Sequence, residues 1–446
     1  MNRFPSTVAG LDDILCGGLF EGGVYILEGP PGVGKTTLAN QIAYNQASAG
    51  HKTLYVTMLA ESHSRMVQHM SNQTFFRKAA VNADVFYLSG YRELESDGLK
   101  GVLGLLRNEL ARSGATLLVV DGLVLSAPGI DEGVRQFVHE LQSLVSAMGC
   151  TCLLLTTGRG NALSAEQTMV DGIFSFEDQL FKGRAERVVQ VRKFRGSGVV
   201  RGQHSFCITD EGLQFFPRLE SMPLPDGGLA DASSVTLGIP EIDAALGGRG
   251  LWTGSMSLVV GESGAGKTLM GYRFAAASTA EEPGLLLIGA PETKAGACHL
   301  AGRFNIDLER ALRSGGLRVE TLGQSDESLD EMGHKILRLV DEARARRLVL
   351  DGVAALADTR AFQDRGYRFL GRLLMELRRR AVTALFTLDP AEISLASGTP
   401  LAPGLAALFD NVLALEAPRD AGASRQLAVR KMRGQHGEAT VISLRD

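Results

Sequence analysis

Short apolar runs alternate with longer amphipathic segments in both halves of the chain. The runs "VYILEG", "TLYVTM", "TLLVVDG" and "CLLLTTG" have strand length, and "SLVVGE", "GLLLIGA", "RLVLDG" and "ALFTLD" follow in the second half. Strands that are apolar on both faces are typical of parallel sheets covered by helices on both sides. "VRQFVHELQSLVSAMG" and "RFLGRLLMELRRR" are predicted covering helices, and each half ends in hairpin-like strands. The pattern predicts an α/β fold built from two mainly parallel sheets flanked by helices, with terminal β-hairpins.

The two halves are copies of one unit. A Gly-Gly turn with a Gly-rich loop, an apolar strand ending in Asp-Gly, and the motifs "KFRG" and "KMRG" recur in the same order. The segment "PRLESMPLPDGGLADASS" between the copies is rich in Pro, Gly and Ser, which is typical of a linker. We therefore predict a first domain over 1–220, a linker over 221–234 and a second domain over 235–446.

Composition limits the class of protein. The 446 residues are 45% hydrophobic and 22% charged, as in ordinary globular domains. A formal net charge of −4 argues against a nucleic-acid binder held by bulk charge. The five cysteines form no CxxC pair and the histidines no HxxxH pattern, so we expect reduced thiols and no zinc site built by the protein. With no apolar run of transmembrane length, we expect a cytoplasmic protein without a membrane partner.

Two Gly-rich loops carry the chemistry. "GPPGVGKT" begins at Gly29 and "GESGAGKT" at Gly261, and both match the phosphate-binding pattern G-x-x-x-x-G-K-[ST]. Its glycines let backbone N–H groups surround a phosphate, its lysine neutralises the β- and γ-phosphates, and its hydroxyl holds Mg²⁺. We expect ATP and Mg²⁺ as ligands. The predicted phosphate-binding residues are Gly32, Val33, Gly34, Lys35, Thr36 and Thr37 in the first copy, and Ser263, Gly264, Ala265, Gly266, Lys267, Thr268 and Leu269 in the second.

Polar residues end the strands that follow the loops. Asp121 and Asp351 close apolar strands, where a carboxylate can hold a water of Mg²⁺, so we predict metal sites at Thr36 with Asp121 and at Thr268 with Asp351. The next strand of each copy ends in polar residues, which are either nucleotide sensors or ordinary strand-end side chains. These residues are Thr156, Thr157, Thr387 and Asp389.

Together the "GLD…GG" lead-in, the two loops, the two strand-end Asp residues and the "KFRG" and "KMRG" motifs resemble the KaiC family. This family comprises RecA-like ATPases of the cyanobacterial clock and their bacterial and archaeal relatives. The resemblance covers nearly the whole chain and implies two tandem RecA-like P-loop NTPase domains. It also implies a homo-oligomeric, hexameric ring with ATP at the subunit boundaries. By the same resemblance, four residues reach the γ-phosphate of a neighbouring subunit: Lys193, Arg195, Lys431 and Arg433.

The chain departs from the family pattern after the second strand of each copy. The family carries adjacent Glu residues there, and one of them activates the attacking water or hydroxyl. Here "YVTMLAES" keeps only Glu61, and "LIGAPETK" keeps only Glu292, directly after Pro291. A single carboxylate can still orient water, so both are predicted catalytic residues. We expect hydrolysis in the first copy, and in the second a bound nucleotide that stabilises the ring, with slow hydrolysis or none.

A second departure concerns phosphorylation. The Ser-Thr acceptor pair of the clock protein aligns with Ala406 and Ala407, which have no hydroxyl. Phosphorylation at that pair is therefore excluded, while a serine/threonine autokinase that uses other hydroxyls stays open.

The leading interpretation is a ring ATPase that acts as a regulatory switch, with a signalling protein as partner. The alternatives are the autokinase, a scaffold held together by ATP, and a DNA-binding recombinase. Two basic runs, 344–347 and 378–380, lie on predicted helices, and we interpret them as solvated faces. No aromatic-basic stretch accompanies them, so we do not expect nucleic acid as a partner.

Overall fold

The computed structural model describes residues 2–58, 63–122, 131–157, 169–223, 233–246, 248, 250–323, 327–391, 404–416, 424–433 and 441–444. The chain divides into two compact units, Met1–Ser221 and Met222–Asp446. The extent of a linker at 221–234 stays a prediction. In the part of the chain that is described, no helix combines the length and the apolar character needed to cross a membrane.

The described residues of the first unit form a nine-stranded sheet in which six neighbouring strands are parallel and three at one end are antiparallel. Across the sheet the strands follow the order Val85–Ser89, Thr53–Thr57, Leu117–Asp121, Thr151–Thr156, Val24–Glu28, Gly172–Phe181, Arg184–Phe194, Gln203–Thr209 and Gly212–Phe216. The strand that leads into the phosphate loop, Val24–Glu28, therefore lies between two parallel neighbours.

The second unit repeats this topology. Its sheet has eight described strands, six parallel and two antiparallel. Their order is Leu317–Leu322, Gly284–Gly289, Arg347–Asp351, Thr383–Leu388, Met256–Gly261, Asn411–Glu416, Arg425–Met432 and Val441–Leu444. The predicted α/β class, the mainly parallel sheets and the terminal hairpins are confirmed.

Helices cover the sheets. Those of the first unit are Leu11–Ile14, Lys35–Ser48, His63–Met70, Tyr91–Ser113 and Asp131–Met148. Those of the second are Pro240–Ala245, Lys267–Ala276, Lys294–Arg303, Leu308–Arg313, Leu329–Glu342, Ala354–Ala357, Arg360–Arg379 and Leu405–Leu408. Two-stranded ribbons pair Arg3–Phe4 with Leu19–Phe20, and Ser234–Val235 with Leu251–Trp252. Both covering helices predicted from the sequence are present and begin earlier than the quoted segments.

Apolar residues on both faces of each strand build two cores around the first sheet. Tyr25 and Leu27 point to the face covered by the helix Lys35–Ser48, whereas Val24 and Ile26 point to the opposite face. Because side chains alternate along a strand, a continuous apolar run supplies both cores. This explains why these strands show no polar alternation in the sequence.

An Asp in the lead-in of each copy organises the chain before the sheet. The Asp12 carboxylate accepts hydrogen bonds from the backbone N–H groups of Ser6 (2.9 Å) and Thr7 (3.0 Å). In the second copy the Asp243 carboxylate accepts one from the Leu237 N–H at 2.8 Å. The Asp of the lead-in motif thus has a structural function, because its hydrogen bonds hold together the segment that precedes the first strand of each sheet.

The prediction that the basic run 344–347 lies on a helix is wrong. The helix Leu329–Glu342 ends before it, and Arg347 is the first residue of the buried strand Arg347–Asp351. The backbone of Arg344 has a φ of 49°, which a helix cannot continue through. The second run, 378–380, does lie at the end of the helix Arg360–Arg379.

Burial predicts where substitutions destabilise the fold. Leu258 lies in the central strand Met256–Gly261 and is 0% exposed, whereas Leu180 is 77% exposed. We expect Leu258→Ala to lower the free energy of unfolding by roughly 2–5 kcal/mol, because it leaves a cavity in a close-packed core. Leu180→Ala, the control, should change it by less than about 0.5 kcal/mol. Urea unfolding followed by circular dichroism measures both, and equal values would contradict the assignment of the core.

Candidate nucleotide-binding sites

Both phosphate loops lie at the carboxyl ends of their sheets and lead directly into a helix. Gly34 and Gly266 precede the helices Lys35–Ser48 and Lys267–Ala276, with φ angles of 108° and 103°. Glycine adopts such angles without strain, so the backbone can turn its N–H groups toward one point. The helix N-terminus adds positive potential at that point. This is the geometry of an anion site in each copy.

The two loop lysines make the same backbone contacts. Lys35 Nζ donates to the carbonyl oxygens of Gly29 (2.7 Å) and Pro30 (2.8 Å). Lys267 Nζ donates to those of Gly261 and Glu262, both at 2.8 Å. Each ammonium group is therefore held over its own loop.

In the first copy, the loop hydroxyl and the strand-end carboxylate are in contact. Thr36 Oγ1 donates to Asp121 Oδ2 at 2.9 Å, and the Tyr55 hydroxyl donates to the same oxygen at 2.7 Å. Burial raises the pKa of Tyr55 well above its usual value, and the Asp121 charge adds to this shift, so the phenol stays protonated. Burial lowers the pKa of Lys35, which the Asp121 charge partly offsets. Tyr55 was not predicted, since a Tyr within an apolar strand gives no signal of its own.

The second copy holds its carboxylate with a different neighbour. Asp351 Oδ1 accepts hydrogen bonds from Thr268 Oγ1 (3.3 Å) and Thr387 Oγ1 (2.6 Å). Burial raises the pKa of Asp351, and the Glu292 charge adds to this, while the two hydroxyls and Lys267 act in the opposite direction. Thr387, predicted to be either a nucleotide sensor or an ordinary strand-end residue, therefore contacts the carboxylate of Asp351.

The two predicted catalytic glutamates differ in what can be said of them. Glu61 lies outside the described residues. Glu292 precedes the helix Lys294–Arg303, and its Oε1 accepts a hydrogen bond from the Thr293 N–H at 2.9 Å. Its charge raises the pKa values of Asp351 and Tyr272, which places Glu292 in the electrostatic surroundings of the second site.

In each unit the phosphate loop lies at the carboxyl end of the parallel strands. The Lys and Arg of the K-x-R-G motif lie at the opposite, amino end of these strands. The Arg195 N–H donates to the Asp171 carbonyl, and the Asp171 N–H donates to the carbonyl of Val24, the first residue of the strand before the loop. In the second copy the same chain of bonds runs from Arg433 through Asp410 to Met256. The loops follow the last residues of those strands.

Contacts at this end of the strands hold the second motif in place. Lys431 Nζ donates to the Phe409 carbonyl at 2.6 Å and to the carbonyls of Ala406 and Ala407 at 3.3 Å. Arg433 Nη1 donates to Asp410 Oδ1 at 3.0 Å, although 79% of the Arg433 side chain is exposed. In the first copy, Arg195 Nη1 donates to the Met169 carbonyl at 3.1 Å. Both arginines therefore present charge at the surface.

A cavity of about 650 Å³ opens beside the second loop. Its lining includes Gly266 and Leu269 from the start of the loop helix, Phe304, and the cations Arg303 and Arg425. Phe304 is 41% exposed and contributes an aromatic side chain to the lining. An aromatic surface next to cations is suited to the base and ribose of a nucleotide whose phosphates occupy the loop.

Two RecA-like sheets, each with a phosphate loop, a lysine and a paired hydroxyl and carboxylate, define a tandem P-loop NTPase. The sequence profile of the KaiC ATPase family matches residues 4–220 and 235–444. The chain belongs to this family and is an ATP-binding ATPase, as the resemblance implied.

Individual relatives match over most of the chain. The circadian clock oscillator protein KaiC of Picosynechococcus sp. is 23% identical over 451 residues, which cover 97% of this chain and 86% of the relative. That of Acaryochloris marina is 24% identical, covering 97% and 85%. The circadian clock protein KaiC2 of Synechocystis sp. is 24% identical, covering 86% and 69%.

The loop geometry predicts which glycines nucleotide binding requires. A Cβ at Gly34 would lie 2.7 Å from Ile208 Cδ1, and its φ of 108° disfavours any side chain. We expect Gly34→Ala to abolish nucleotide binding by the first copy, because the N–H groups lose their common direction. Gly104 lies in the helix Tyr91–Ser113, and a Cβ added there would meet no atom within 4 Å, so Gly104→Ala is the matched control. Titration with a fluorescent ATP analogue in a Lys267→Ala background tests this, and unchanged binding by Gly34→Ala would refute it.

Proposed function

We propose that the protein is a ring ATPase in which each nucleotide is bound between two subunits and reports its state through assembly. The observation that carries the proposal is the position of the K-x-R-G motifs. Arg195 lies at the level of the first residue of the strand Val24–Glu28, whereas the phosphate loop follows the last residue of that strand. Five residues of strand span about 16 Å, and two strand spacings separate the backbones sideways by about 10 Å more. An arginine side chain is too short for that distance, which supports a contact with the nucleotide of another subunit.

This placement supports a direct chemical role for the motif. Arg offers fixed donors to phosphate oxygens, and an arginine supplied in trans stabilises the charge that develops during phosphoryl transfer. A site completed by a neighbour couples nucleotide binding to assembly, because neither subunit alone supplies all of the contacts. A hexamer, a cytoplasmic location and a signalling protein as partner belong to the same proposal, by analogy with the family.

The metal ligands we propose are Thr36 with Asp121 and Thr268 with Asp351. Each pair brings a hydroxyl and a carboxylate oxygen together at the loop, and oxygen donors are what Mg²⁺ prefers. Bound Mg²⁺ would neutralise phosphate charge. The hydrogen bonds from Tyr55 and Thr387 orient the two carboxylates.

The two copies have different tasks in this proposal. The first hydrolyses ATP, with Glu61 orienting water. The second holds a nucleotide that stabilises the ring, because Glu292 follows Pro291 and its carboxylate accepts a hydrogen bond from the adjacent backbone. Autophosphorylation at the family's acceptor pair has no support, since Ala406 and Ala407 offer only carbonyl oxygens, which accept from Lys431.

A DNA-binding recombinase is not favoured by the contacts of the basic runs. Arg347 is buried and paired with Glu282 at 3.1 Å. Arg378 is paired with Asp410 at 3.0 Å, and Arg380 with carboxylates on two helices. Cations that are already neutralised within the fold add little to an electrostatic surface for nucleic acid.

The role of the first K-x-R-G motif is tested by Lys193→Ala combined with Arg195→Ala. We expect ATP binding to stay within about threefold of wild type and the hydrolysis rate to fall by about 10³-fold, as for loss of a trans arginine. Phosphate release and binding of a fluorescent ATP analogue measure the two effects. Arg112→Ala, an exposed helix cation, is the control. Unchanged hydrolysis in the double variant would refute the contact in trans.

The division of tasks is tested by comparing Lys35→Ala with Lys267→Ala. We expect Lys35→Ala to abolish most phosphate release, because the first copy performs hydrolysis. Lys267→Ala should retain hydrolysis at high protein concentration but lose the nucleotide-dependent increase in sedimentation coefficient. If wild type and Lys35→Ala release phosphate at the same slow rate, ATP serves only to hold a scaffold together and the proposal is wrong.

A further inference from the structure

The two nucleotide sites differ in one charged residue beside the loop lysine. The strand Thr383–Leu388 runs parallel to the strand that enters the second loop, and the residue after it, Asp389, is 6% exposed. Asp389 Oδ2 lies 3.6 Å from Lys267 Nζ. Its other oxygen, Oδ1, accepts a hydrogen bond from the Ala391 N–H at 3.0 Å. The carboxylate is thus fixed in a direction that faces the lysine.

The first copy provides an internal comparison. Glu28 pairs with Thr156, and the equivalent pair in the second copy is Val260 with Leu388. Thr157 therefore occupies the position of Asp389, and it is exposed. Within the described part of the chain, Lys35 has no carboxylate oxygen within 4.0 Å. The loop lysines otherwise make the same two carbonyl contacts, so among the described residues the Asp389 carboxylate distinguishes the surroundings of Lys267 from those of Lys35.

We propose that Asp389 is a specificity-determining residue that makes the second nucleotide site favour a nucleoside diphosphate over a triphosphate. The inference rests on the proposed function, because it assigns a ligand preference to that site.

The argument is electrostatic. A loop lysine contacts the β- and γ-phosphates, so a carboxylate 3.6 Å from its ammonium group lies within a few ångströms of the γ-phosphate position. Like charges repel at that separation, and burial of Asp389 limits screening by water and salt. The β-phosphate is bound by the loop N–H groups, whereas the γ-phosphate depends more on the lysine that Asp389 already partly neutralises. The penalty therefore falls mainly on the triphosphate.

The preference has a consequence for the second copy. A site that holds the diphosphate keeps a ligand without needing to hydrolyse it. Asp389 and the stretch around Glu292 then have the same effect on hydrolysis. Asp389 disfavours bound triphosphate, and the stretch around Glu292 lacks the paired carboxylates.

The test uses the full-length chain with the first site silenced by Lys35→Ala. Titrations with the fluorescent analogues mant-ADP and mant-AMPPNP give the dissociation constant of each at the second site. Asp389→Asn keeps the shape and removes the charge, so we expect affinity for mant-AMPPNP to rise by about tenfold and for mant-ADP by less than about threefold. Asp389→Glu, which keeps the charge, should retain the diphosphate preference.

The reciprocal variant tests the same charge in the first site. In a Lys267→Ala background, Thr157→Asp should weaken mant-AMPPNP binding by about tenfold and mant-ADP binding less. An unchanged ratio of the two dissociation constants in both Asp389→Asn and Thr157→Asp would overturn this inference alone. If neither background bound nucleotide, the proposed function would fall, and the inference with it.

Discussion

Parallel pairing of the strand before each phosphate loop determines where the rest of the nucleotide site lies. Val24–Glu28 and Met256–Gly261 are each held between two parallel strands, so three strand ends meet at one edge of the sheet. The strand that ends in Asp121 or Asp351 runs parallel one position further along each sheet, so the loop, that Asp and the polar end of the intervening strand converge there. The strand that ends in each K-x-R-G motif runs antiparallel to its neighbour, so the motif lies at the amino end of the parallel strands. The pairing pattern therefore places the phosphate loop and the cations of the K-x-R-G motif at opposite ends of the strands.

That separation gives the proposed ring its physical basis. Each subunit has its phosphate loop at one end of the parallel strands and its exposed arginine at the other. These two surfaces are complementary, but they cannot meet within one subunit. Arg433 illustrates the second surface, since it pairs with Asp410 while 79% of its side chain remains exposed. Head-to-tail contacts of this kind close into rings when the rotation between subunits allows it.

Repetition of one topology makes the differences between the copies informative. Both hold the strand-end carboxylate, Asp121 or Asp351, with a second hydroxyl, yet Tyr55 supplies it in the first copy and Thr387 in the second. In both copies the loop lysine contacts backbone carbonyls. Among the described residues, only the second lysine also faces a carboxylate, that of Asp389. The scaffold is thus common to both copies, while the electrostatic environment of the phosphates is not. Ligand preference can change in this way without changing the fold.

The sequence by itself determined the fold class, the repeat and the position of both phosphate loops, because apolar periodicity and glycine spacing are local properties of the chain. The contacts of Tyr55 and Asp389 were decided by tertiary structure, although the sequence had already indicated Asp389 as a polar strand end. Strand register brings Tyr55 to Asp121 across 66 positions, and it brings Asp389 to Lys267 from a neighbouring strand that is remote in sequence; no local pattern encodes such pairings. The basic run ending at Arg347 shows the converse, since its charges suggested a solvated helix, whereas Arg347 is buried as the first residue of a strand and only Arg344 and Arg346 are exposed.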